Sequence, residues 1–95
     1  MPKGYWIAHV DVKDTDAYKN YIEANAVPFK KFNASFLVRS GTYECVEGQT
    51  RSRNVIIEFP SYQDAQDCYH SEEYRAAKAL RDGAAEADIT IIEGV

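Results

Sequence analysis

The chain has 95 residues, of which 45% are hydrophobic and 27% charged, and a net charge of −4. That length predicts one domain, residues 1–95, burying less than about 70% of its unfolded surface, so a partner surface would add much to its core. The negative balance argues against nucleic acid or an anionic membrane as main partner, and no apolar run approaches a membrane span.

The opening M-P-K-G-Y-W has no apolar signal-peptide core. Cys45 and Cys68 form no C-x-x-C and read as reduced thiols, which predicts a cytoplasmic protein.

Gly4–Val12 reads as the first strand. Trp6, Ala8, Val10 and Val12 alternate with Tyr5, Ile7, His9 and Asp11. Asp14 is a candidate N-cap, and Asp16 favours a helix start. The helix is expected to run to about Phe32, burying Tyr18, Tyr21, Ile22, Phe29 and Phe32. Pro28 falls inside it and should kink or split the last turn, since it cannot bond to Ala24. Asn33 suits the residue just past the helix end.

Ser35–Glu47 is the expected second strand, with Phe36 and Val38 opposed to Leu37 and Arg39, and Gly41 suggesting a bulge. Gly48–Ser52 reads as a turn. The strand Arg53–Pro60 is apolar on both sides except for Glu58, as expected of a central strand covered on both faces. Ser61 and Ser71 are candidate N-caps for two short helices, Tyr62–His70 and Glu72–Arg81, with Gly83 as the stop. Ala84–Asp88 reads as a connector and Ile89–Glu93 as the last strand.

The order strand, helix, strand, strand, helix pair, strand is the split βαβ plan. It predicts an α+β ferredoxin-like fold with an antiparallel sheet ordered 4-1-3-2 and helices on one face. Parity assigns Trp6, Ala8, Val10, Phe36, Val38, Val55, Ile57, Phe59, Ile89 and Ile91 to the helix side. Tyr5, Ile7, His9, Asp11, Leu37, Arg39, Ile56, Glu58, Thr90 and Ile92 fall on the other side. Bare to water, the aliphatics of that second face would form one contiguous patch, so a second copy is expected to cover it in a two-fold homodimer.

On this order His9, Arg39 and Glu58 share the covered face. They are the candidate catalytic trio: His9 to move a proton, Glu58 to orient it, and Arg39 to hold an anionic group or oxyanion. The competing reading is an ion pair that fixes dimer register. Tyr69, Tyr74, Asp11 and Arg81 are candidate contacts for a small, anionic organic ligand, against the plainer readings of core tyrosines and a solvated helix-end charge. No metal-ligand spacing, phosphate loop or nucleophile motif occurs, so neither metal nor cofactor is expected. Two uses of the site follow: acid/base chemistry on a small metabolite without a cofactor, or ligand binding without turnover. A purely structural dimer is the third alternative.

Four stretches carry a resemblance: G-Y-W-I-A-H-V-D-V (Gly4–Val12), E-F-P-S-Y (Glu58–Tyr62), S-E-E-Y-R-A-A-K-A-L-R (Ser71–Arg81) and the ending I-I-E-G-V. Together they resemble the domain-of-unknown-function family thirteen-thirty. The resemblance implies a dimeric α/β-barrel of the ferredoxin-like superfamily, with two sheets facing across a two-fold axis. It implies no established activity, since the wider superfamily includes monooxygenases, dehydratases, decarboxylases and regulatory ligand-binding domains. Arg39 is followed here by Ser40 and Gly41 where that family often has two glycines, and Cys68 stands where it commonly has tryptophan.

Overall fold

Seven elements account for most of residues 2–95, which the structure, a computed structural model, describes. They are β1 (Gly4–Val12), α1 (Thr15–Lys31), β2 (Ser35–Arg39), β3 (Arg53–Phe59), α2 (Tyr62–His70), α3 (Glu72–Arg81) and β4 (Ala85–Glu93). The sheet runs β2-β3-β1-β4, which is the expected 4-1-3-2 read from the other edge, and every neighbouring pair is antiparallel. Helices cover one face. The thinnest dimension, 17 Å, leaves room for that sheet and one helical layer.

Local chemistry sets the helix ends. Asp14, Ser61 and Ser71 each accept a bond from the backbone N–H three residues on. At the far end of α1, Asn33 takes φ 58°, and Asn33 N and Ala34 N donate to the Lys30 and Phe29 carbonyls. This paired closure satisfies carbonyls that the helix leaves open. α1 runs through Pro28 unsplit, forfeiting the bond to the Ala24 carbonyl one turn before its end. Gly83, at φ 82°, ends α3 in the same left-handed region.

The core forms where the Trp6 face of β1 meets the helices. Trp6 packs against Phe29, Phe59, Tyr69 and Tyr74, with ring centroids 4.9–5.6 Å apart. Its Nε1 donates to the Ala65 carbonyl at 2.8 Å, so its one polar atom is satisfied inside the core. Gly4 permits close approach of β1 to α2: a Cβ there would lie 2.4 Å from the Ser61 carbonyl oxygen.

Three expectations are corrected. The second strand ends at Arg39 rather than Glu47; Ser40, at φ 56°, makes a last bond to the Asn54 carbonyl and the chain then leaves the sheet. The last strand begins at Ala85, so the expected connector pairs with β1 instead. The sheet irregularity lies between Phe36 and Val38, not at Gly41. One unpaired residue, Leu37, reverses the side-chain parity beyond it. Val38 therefore stands opposite Ile56 and Arg39 opposite Val55, which puts Arg39 on the helix side and Val38 on the open side.

The open face carries half-buried Ile7 and Ile56 and the exposed Leu37, Val38 and Ile92. Among the described residues, no helix is long and apolar enough to cross a membrane.

Candidate functional site

The trio His9, Arg39 and Glu58 does not assemble within the chain. His9 stands opposite Asn54 and Glu58 opposite Tyr5, so the two lie four positions apart along the sheet, about 13 Å at strand rise. They share the open face, as parity requires, but not a site. Arg39 is on the other face, for the reason just given.

Each residue has its own partners. Glu58 accepts from Lys3 Nζ at 2.9 Å and from the Tyr5 hydroxyl at 3.3 Å. The Lys3 hydrogen bond holds its carboxyl below the ordinary range. His9 Nδ1 lies 2.6 Å from Asn54 Oδ1 and 3.1 Å from Thr50 Oγ1. An Nδ1–H tautomer donates to the Asn54 oxygen and leaves Nε2 as an acceptor.

Asp11 is also engaged. It accepts from Ser52 N, Ser52 Oγ and Arg51 Nη1 at 2.9–3.1 Å. The Ser52 backbone bond is the main reason its carboxyl is held low. Arg51 also donates to Glu86 and Asp88. These bonds fix the approach to β3 rather than leaving Asp11 free.

Tyr74 is wholly buried, and its hydroxyl meets that of Tyr21 at 2.8 Å. Tyr69 packs on Trp6 and Tyr74 and lines an adjoining groove with Lys78, Asp82 and Asp88, to which Arg81 also contributes. Neither tyrosine lines the cavity beside α1.

That cavity is a cleft of about 480 Å³ between α1 and the helix side of the sheet. Trp6, Phe29, Phe36 and Ile57 wall one end; Tyr18, Val10, Arg53 and Arg81 stand at the other. β1 and α1 run antiparallel, which sets Tyr18 near Val10 and Phe29 near Trp6. Arg53 opposes Val10 and so points to the helix side.

The lining carries Lys30, Arg39, Arg53 and Arg81, with no carboxylate and no imidazole among the described residues. None of the four takes part in a salt bridge there.

Arg81 is 7% exposed and lies over the Tyr21 ring at 5.2 Å. It is a buried cation, not a solvated helix end. Arg53 lies over Tyr18 at 5.7 Å and Arg39 over Phe36 at 4.0 Å. The Nε atoms of Arg53 and Arg81 are both buried without a hydrogen-bond partner among the described residues. Burial pushes the Tyr18 hydroxyl up, while Arg53 and Arg81 pull it down, so both guanidinia act on that one oxygen.

Of the expected site residues, the cleft therefore brings together Arg39 and Arg81. Sequence reasoning passed over Arg53 and buried Asn25, and read Tyr18 as part of the buried stripe of α1, where a tyrosine could line a pocket against the sheet. Their signal was present: Arg53 has the parity of Val55 and Ile57, and Asn25 sits on the stripe of Tyr18, Tyr21 and Phe29. A polar residue on an apolar face needs a partner, and that need points to a site. Among the described residues no group of three His, Cys, Asp or Glu side chains is placed to hold a metal ion.

No functionally curated protein matches the chain in sequence. Solved structures match its fold. A protein of unknown function from Rhodopseudomonas palustris, RPA0582, superposes with a TM-score of 0.77 at 15% identity, over 99% of this chain and 83% of that one. SnoaB, a cofactor-independent oxygenase from Streptomyces nogalater, gives 0.68 at 6% identity, over 97% and 92%. A dimeric ferredoxin-like protein of unknown function from Thermobifida fusca gives 0.63 at 14% identity, over 97% and 91%. At such identities the likeness establishes the ferredoxin-like fold alone. The family model for the Domain of unknown function (DUF1330) matches residues 3–95, and the chain belongs to that family.

Proposed function

We propose that this protein is a homodimer whose subunits each bind a small organic anion in the cleft between α1 and the sheet. One observation carries the reading: the guanidinium Nε atoms of Arg53 and Arg81 are buried beside an apolar-walled cleft with no acceptor among the described residues. Arg81 is a buried cation with no carboxylate partner and half-buried Arg53 meets only the Tyr18 hydroxyl, and an incoming anion relieves the cost of leaving such charge unpaired. In a chain of net charge −4, a cleft lined by cations and free of acids selects for negative charge. Arg39 keeps its expected role as an anion-holding group, at this cleft rather than beside Glu58.

The homodimer is supported by the aliphatics of the open face and by fold relatives described as dimeric. Sedimentation equilibrium at micromolar concentration is expected to give twice the chain mass; a stable monomer rejects the assembly. The reduced thiols fit a cytoplasmic setting.

Thermal denaturation tests the ligand. Organic anions are expected to raise the melting temperature and their uncharged amides are not, since ligand at 100 times its Kd adds about 2.7 kcal/mol to the bound state. Amides as effective as anions overturn the reading.

Catalysis in the same cleft is the second reading, favoured by the fold likeness to a cofactor-independent oxygenase. Guanidinia would stabilise an enolate or phenolate forming on the bound molecule. The lining offers no carboxylate or imidazole as base, so binding without turnover stands first.

A further inference from the structure

We infer that the ligand of this cleft is a carboxylic acid on a flat apolar body, its carboxylate bridging Arg53 and Arg81 and its body lying along α1 toward Phe29 and Phe36. This rests on the anion-binding reading above and narrows it to one chemical class.

The head group follows from guanidinium geometry. The side edge of an arginine, Nε with one terminal nitrogen, matches the two oxygens of a carboxylate as a fork matches a fork. In Arg53 and Arg81 the Nε of that edge is buried and unpartnered. Arg53 and Arg81 also lie over the Tyr18 and Tyr21 rings. The side edge of each is the part a planar carboxylate meets, the Nε, here packed away from solvent, turning toward it on binding. The Tyr18 hydroxyl, within the field of both guanidinia, is placed to donate a further bond. A phosphate fits less well. It brings more charge into a buried place, and the cleft lining contains no N-terminal turn of a helix, where phosphate-binding backbone N–H groups gather.

The body follows from the walls. From Tyr18 to Phe29 the cleft tracks α1 for about 16 Å at helical rise. Over that length its sides are mainly ring and aliphatic surface: Trp6, Phe29, Phe36, Val55 and Ile57. Trp6 with Phe29, and Phe29 with Phe36, meet edge to face, a wall against which a flat unsaturated body packs well. Small residues, Ala8, Ala26 and Ala34, leave the space between them. A long apolar slot with its more buried cations, Arg53 and Arg81, at one end and the exposed Lys30 and Arg39 toward the other fits a flat acid headed at the buried pair better than a compact polar ligand.

The test is calorimetric titration of the full chain with trans-cinnamate, acetate, cinnamamide and phenyl phosphate as probes. Cinnamate is expected to bind at least tenfold tighter than each of the others. Arg53→Gln and Arg81→Gln are each expected to weaken cinnamate at least tenfold, while Arg75→Gln on the exposed side of α3 leaves it unchanged. Where Arg81→Gln fails to fold by circular dichroism, Arg53→Gln and Tyr18→Phe carry the test; Tyr18→Phe is expected to weaken binding severalfold. Acetate or phenyl phosphate binding as tightly as cinnamate overturns the class and leaves an anion site standing. Cinnamamide binding as tightly as cinnamate overturns both. Cinnamate affinity unchanged in the Arg53 variant overturns the head-group position.

Discussion

The hydroxyls of Tyr21 and Tyr74 meet at 2.8 Å in the core and tie α1 to α3 beneath the cleft. Burial pushes the Tyr74 phenol far up, so its hydroxyl stays protonated well above neutral pH. Tyr74→Phe strands the Tyr21 hydroxyl without filling the gap. It should destabilise the protein by about 1–2 kcal/mol, read as a lower urea midpoint at unchanged slope.

Gly4→Ala should cost more. The added methyl meets backbone, the Ser61 carbonyl oxygen at 2.4 Å and Tyr62 Cα at 2.6 Å, and backbone cannot rotate away. Forcing β1 from α2 is an overpacking change of about 2–3 kcal/mol, visible as a lower melting temperature. Gly48→Ala meets no neighbouring atom and costs only what its φ of 75° imposes, so it should perturb the fold less.

Low pH should weaken the fold through its surface carboxyls. Lys3 holds Glu58, Ser52 and Arg51 hold Asp11, and Lys13 and Arg51 hold Glu86, each below its ordinary value of 4.5 for Glu or 3.8 for Asp. As pH falls, the unfolded chain takes up protons first, so stability drops; the contribution is whole above those ordinary values and gone once the folded groups protonate. The urea midpoint should be level near neutrality and decline below about pH 4.5. Arg51→Gln should make that decline shallower, and so should high salt, since these pairs are exposed.

The two thiols should separate cleanly. Cys45 is exposed, whereas Cys68 is buried and its thiol is pushed up to about 12, mainly by that burial. Only a thiolate reacts quickly. An aromatic disulfide reagent near pH 8 should therefore label one thiol in the folded protein and a second only in denaturant. Fast double labelling without denaturant would contradict the packing of α2.

Much of this architecture was legible from alternation. The parity of Trp6, Ala8 and Val10, and of Val55, Ile57 and Phe59, gave the helix side, because a half-covered strand must sort its residues by solvent. Caps and stops at Asp14, Ser61, Ser71, Asn33 and Gly83 were legible for the same local reason: each residue type supplies what a helix end lacks. The bulge at Leu37 was not. No Gly or Pro marks it, and it is set by how β2 meets β3 after α1 delivers the chain. That single displaced residue carried Arg39 from the expected trio to the cleft.

The start of β4 was hidden differently. Ala85-Glu-Ala-Asp has weak strand propensity and reads as linker, yet it pairs with β1, and its acids hold Arg51. The buried state of Arg81 depends on Tyr21, sixty positions earlier in the chain, which no local pattern around α3 encodes.

β3 divides the molecule's two surfaces by odd and even number. Arg53, Val55, Ile57 and Phe59 look toward the helices, and Asn54, Ile56 and Glu58 away from them. A mutational library confined to the odd positions can retune what the cleft accepts, and one confined to the even positions can retune how the outer surface behaves. Selection can thus act on either trait with little interference from the other, although both are written in the same seven-residue stretch of chain.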